Sequence, residues 1–161
     1  MLVVVALMGV LAAAAQPLVE LSLRRASEAE LRHSLRQIRS AIDAYKQAAD
    51  AGRIARGTDR SVEESGYPPT LEALVAGVPD ASSASASAPN GSSLAELKLR
   101  IYFLRSLPRD PFADPSLPAA QTWALRSYES PPDAPQPGRD VFDVHSMAEG
   151  NGIDGTPYRS W

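Results

Sequence analysis

An α+β fold is predicted for these 161 residues, a long N-terminal helix packed on a small C-terminal antiparallel sheet, and three features predict it. The first fifteen residues carry no polar side chain. From there to about Ala51, apolar residues recur with the period of a helix. Near the end, "TWALRSY" and "DVFDVHS" alternate polar and apolar residues as half-buried strands do.

The opening "MLVVVALMGVLAAAA" covers roughly 22 Å as a helix, short of the roughly 30 Å of a bilayer core. A secretory signal peptide would start with Lys or Arg, whereas Leu2 and Val3 follow Met1 directly. A buried core helix of a small domain would be apolar on one face, and this stretch is apolar all round, which favours lipid. Residues 1–16 are therefore read as a truncated transmembrane helix and 17–161 as a globular domain. Pro17 removes a backbone donor and crowds the preceding turn, so a kink is expected where the anchor meets the domain.

Beyond Pro17, Leu31, Leu35, Ile38, Ile42, Tyr45 and Ala49 fall in alternating steps of four and three on one stripe. Arg32, Arg36, Arg39, Asp43, Lys46 and Asp50 occupy the other faces and read as solvated charges. Gly52 is placed to stop the helix. "GYPPTLEALVAGV" then predicts a short second helix entered through prolines, with Leu71, Leu74 and Val75 buried. "PDASSASASAPNGSS", residues 79–93, is too small and polar to bury apolar surface and predicts a flexible loop. "LAELKLRIYFLRSLPRDPFADP" adds a short apolar segment that ends among Pro108, Asp110, Pro111 and Pro115. In the final third, "ESPPDAPQPGR" joins the two strands, and a lone hairpin is unstable in water. Its apolar face, with Trp123, Leu125, Phe142 and Val144, is expected to cover the helix stripe.

A net charge of −3 gives no basic surface for nucleic acid, and with no cysteine there is neither a disulfide nor a thiolate zinc site. His33 and His145 lie on separate elements with no glycine-rich phosphate loop beside them, so no enzyme is expected. Asp110 and Asp114 flank a proline turn and are expected to shape it rather than act as an acid and base pair.

The order of these parts carries a family resemblance. The segment "LVVVALMGVLAAAAQP", one long amphipathic helix, an "LPRDPF" turn, a strand pair and a final "DGTPYRSW" together resemble type II secretion pseudopilins of the type IV pilin superfamily. "LPRDPF" and Trp161 resemble the major, G-type branch. The resemblance spans nearly the whole chain and implies a pilin-like fold. It implies a structural subunit held by one helix in the inner membrane of a Gram-negative bacterium, with its domain in the periplasm. Such a subunit joins a helical pseudopilus and drives protein export. Its implied partners are copies of itself, other pseudopilins, the inner-membrane assembly platform and that platform's ATPase.

In this reading Leu2, Val5, Gly9, Ala12 and Pro17 belong to the assembly helix, and the small residues allow close helix approach. Family members carry a basic leader cut by a prepilin peptidase, a methylated N-terminal aromatic residue and a Glu that sets register. Their counterparts would precede Met1, so an in-frame extension encoding them is expected upstream. Two other classes use the same parts: a membrane-tethered periplasmic binding module and a minor pilin of a type IV pilus.

The resemblance also implies one calcium ion, and no other cofactor, in the loop after the last strand, where "SMAEGNGIDG" stands. Glu149 and Asp154 are then the carboxylate ligands, and six to eight oxygens would require carbonyls, Ser146, Asn151 or water as well. Glycines 150, 152 and 155 would let carbonyls turn inward. Two departures stand against it: Glu149 replaces the family's usual Asp, and the spacing from Asp154 to Trp161 is longer than in calcium-binding members.

Overall fold

A computed structural model describes residues 2–54, 65–82 and 100–161, with side chains from residue 19 onward. Helix α1 (Leu2–Asp50) is a single helix of 49 residues. It continues through Pro17, so the expected boundary between anchor and domain is not a break in secondary structure. Among the described residues no helix is long and apolar enough to cross a membrane. The helix ends as its glycine predicts. Gly52 takes φ +67°. Its N–H donates to the Ala49 carbonyl, and Arg53 N–H donates to Ala48, which closes the last turn.

The stripe on α1 is buried at Leu31, Leu35, Ile38, Ile42 and Tyr45, and half-buried at Ala49. It packs on Leu71, Leu74, Leu104, Trp123, Val141, Val144 and Tyr158. Helix α2 (Leu71–Ala76) buries Leu71 and Leu74, with Val75 half-buried against the same core. Gly77 follows it at φ +73°, where a Cβ would come within 2.8 Å of the Tyr102 ring. Glycine is therefore required there both by the left-handed backbone and by close packing.

Strands β1 (Val78–Pro79) and β2 (Arg100–Ile101) form one antiparallel pair. Asp80 bridges to Ile54, so the polar loop predicted from residue 79 begins with paired backbone. Residues 83–93 of that loop, and 94–99 of the apolar segment after it, lie outside the described residues. The second pair, β3 (Trp123–Arg126) and β4 (Asp143–Ser146), runs antiparallel with Trp123 opposite Ser146 and Leu125 opposite Val144. An α+β architecture results, a long helix with small antiparallel sheets.

The predicted sheet face needs one correction. Trp123 and Val144 are buried over α1 and Leu125 is half-buried, but Phe142 precedes β4 and the alternation does not reach it. Val141 takes the core position. Phe142 instead packs edge-on against Tyr67, with ring centroids 5.0 Å apart, and lies beneath the Arg126 guanidinium. Val141 N–H donates to the Pro68 carbonyl, which ties this strand end to the entry of α2.

The aspartates of the proline turn shape it, as expected. Asp110 is buried, accepts from Phe112 N–H through Oδ1 and from the Ser146 hydroxyl through Oδ2, and so links the turn to β4. Asp114 accepts the Ser116 N–H and hydroxyl. Trp123 donates its indole N–H to the Pro108 carbonyl at 2.9 Å, which holds the turn against β3.

Candidate functional site

Two surfaces stand out along α1, and they adjoin. The first is the helix ahead of Arg24. Val19, Leu21 and Leu23 are 56%, 38% and 63% exposed, so these apolar side chains are left without cover among the described residues. The helix continues back from them to Leu2 through the assembly residues of the sequence reading. The side chains of Leu2, Val5, Gly9, Ala12 and Pro17 lie outside the described residues.

The second surface begins one turn further on, where the chain after β4 lies along α1. Arg24 donates to the Asn151 carbonyl and, at 3.2 Å, to the Tyr158 hydroxyl. Glu28 is 5% exposed. Its Oε1 accepts from the Tyr158 hydroxyl and from Ile153 N–H, both at 2.9 Å. Arg32 donates to Asp154 Oδ2 at 2.8 Å, and its guanidinium lies 4.1 Å from the centre of the Trp161 ring. Arg39 donates to Asp143 at 2.7 Å and to the carbonyls of Val144 and Trp161.

The segment's own bonds match this seat. Asp154 Oδ1 accepts the Thr156 N–H and hydroxyl, and the Thr156 hydroxyl oxygen accepts the Trp161 indole N–H at 2.6 Å. Gly152 is buried beneath that indole, and a Cβ there would come within 2.4 Å of it. Only glycine leaves room for the ring. The Thr156 hydroxyl and N–H, and after them Arg32, hold the Asp154 carboxyl below its ordinary range.

Glu149 and Asp154, the two carboxylates that the resemblance assigns to calcium, line different depressions. Asp154 shares one depression with Arg32, Arg39 and Trp161, whereas exposed Glu149 lies in another with His145 and Arg159. Both Asp154 oxygens already accept hydrogen bonds, one of them from a cation. Among the described residues no three His, Asp or Glu side chains converge as a metal cage. A six- to eight-oxygen ion at Asp154 would have to displace these donors. His33 is exposed on α1. His145 is half-buried on the outward side of β4, and burial, with Arg39, keeps its value below that of a free histidine.

Arg32 and Arg39, expected as solvated charges, instead hold the C-terminal segment together with Arg24, Glu28 and Tyr158, which no local motif marks. One signal was present. Continued upstream from Leu31, the stripe's alternating steps of three and four reach Glu28, then Arg24, Leu21 and Pro17. A carboxylate in a core register position needs a buried donor, and Tyr158 supplies it. Comparison with protein-family models, curated proteins and solved structures finds no match.

Proposed function

We propose that the chain is a structural subunit of a type II secretion pseudopilus, assembling through the apolar first half of α1, and that it works by packing rather than by catalysis. The observation that carries this reading is the uneven cover along one helix. The C-terminal part of α1 is sealed by α2, the strand pair and the C-terminal segment, whereas Val19, Leu21 and Leu23 are exposed on a helix that continues to Leu2. Apolar helix surface without cover in its own fold is stabilised by burial in lipid or against other helices. A head-to-tail filament supplies the second kind of cover without ending at a dimer. The order of parts, from "LVVVALMGVLAAAAQP" to Trp161, supports the G-type assignment within this reading.

The absence of native cysteine allows a direct test. Single cysteines placed at Val5, Gly9 or Ala12 in the full chain are expected to cross-link neighbouring subunits in cells that carry the secretion machinery. A ladder of oligomers supports the filament. Monomers at every position would refute it and leave the membrane-tethered binding module as the better reading.

A further inference from the structure

The chain after β4 presents oxygens of the kind that a hard cation takes: the Asn151 carbonyl, the Asp154 carboxylate and the Trp161 carbonyl. Each accepts a hydrogen bond from a different guanidinium of α1, namely Arg24, Arg32 and Arg39. These arginines stand along sixteen residues of helix, about 22 Å from first to last, so each of the three oxygens has its own cationic donor. Between the guanidiniums, buried Glu28 takes the Ile153 N–H and the Tyr158 hydroxyl. Positive and negative helix side chains thus meet acceptors and donors of the segment along one edge of α1.

We propose that the C-terminal segment, residues 150–161, is fastened by this row of helix side chains in the place of a bound metal ion, and that its structure is independent of calcium. The cation is covalently part of the chain. It is present at every calcium concentration, and no ligand has to leave Arg32 for Asp154 to keep its place. The Arg32 guanidinium also lies over the Trp161 ring, 4.1 Å from its centre, which adds a second contact that holds it in place. This inference is independent of filament assembly, since every contact it uses lies within one chain.

Hydrogen exchange of the full chain in detergent tests it, read over the amides of residues 150–161. In millimolar calcium chloride and in excess chelator the wild-type segment is expected to exchange at the same rate, within about twofold. A slowing of tenfold or more on adding calcium would overturn the proposal. Arg32→Gln and Arg24→Gln, both at exposed positions, are expected to speed exchange in the segment by about three- to tenfold while leaving the amides of residues 35–48 unchanged. Unchanged exchange of the segment in both variants would also overturn it, because the row would then carry none of the fastening. Cross-linking through the first half of α1 is a separate readout, so the two proposals succeed or fail apart.

Discussion

The two halves of α1 are one helix by backbone and two different objects by surface. From Leu31 to Ala49 its apolar residues sit at alternating steps of three and four and are covered by strands, by α2 and by Tyr158. From Val19 to Leu23 residues as apolar as these are exposed. Their chemistry is alike, so what separates the halves is whether the rest of the chain reaches them. Among the described residues the segment 150–161 reaches furthest back along α1, to Arg24 and Glu28. Covered side chains stabilise the fold, and uncovered ones are available to a partner.

Truncation of side chains measures that contrast. Leu35→Ala or Ile38→Ala is expected to destabilise the domain by about 2 to 5 kcal/mol, because each leaves a cavity under the sheet. Urea unfolding of a chain beginning at Leu18, expected to be soluble and monomeric, gives the value. A loss near zero would mean that the stripe is not the core. Glu28→Ala removes the acceptor for two donors at the limit of cover, and about 1.5 to 3 kcal/mol is expected by the same measurement.

Acid should act on the covered half in two steps. Burial and then Arg39 lower the His145 value, so its neutral form belongs to the folded state. The stability this gives is present above the unfolded value of about 6.5 and is lost as pH falls below it. Burial raises the Asp140 value, but the neighbouring Ser65 hydroxyl and the bonds that Oδ1 accepts from the Tyr128 N–H and the Ser127 hydroxyl outweigh it and hold the carboxyl below its ordinary range. That contribution is complete above about pH 4 and is lost as pH falls through the folded value. Urea midpoints taken across the acid range are expected to fall in both windows. His145→Gln should remove the first step and Asp140→Asn the second. Midpoints that rise on acidification would contradict both signs.

The smallest effect is expected in the uncovered half. Leu23→Ala should change the stability of the isolated chain by no more than about 0.5 kcal/mol, since a surface side chain loses little cover on truncation. A loss comparable to that of Ile38→Ala would show that Leu23 has a partner within its own chain.

What the sequence disclosed follows from the range of the interactions. The stripe, the Gly52 stop, the short helix after Pro69 and the pairing of "TWALRSY" with "DVFDVHS" are set by local period and turn chemistry, and they are found where expected. Glu28 and Tyr158 lie 130 residues apart, and Arg32 and Asp154 lie 122 apart. A charge on an exposed helix face looks the same whether or not a distant loop settles on it, so these contacts left no local trace beyond the register of Glu28. Phe142 departs from its expected core position for a related reason. Phe142 N–H still bonds to the Arg126 carbonyl of β3, but Val141 and Val144 are buried three residues apart, so the alternation shifts phase between them and Val141 rather than Phe142 turns to the core.

The clasp between α1 and the C-terminal segment also has a mechanical consequence. Its bonds, at Arg24, Glu28, Arg32 and Arg39, follow the axis of the helix in the manner of a lap joint. A push or pull applied along that axis from the first half of α1 loads these bonds side by side in shear, so the strain is divided among them before it reaches the strand pair. Peeling the segment sideways would load them one at a time. Force along the helix axis therefore meets more of these bonds at once than force across it.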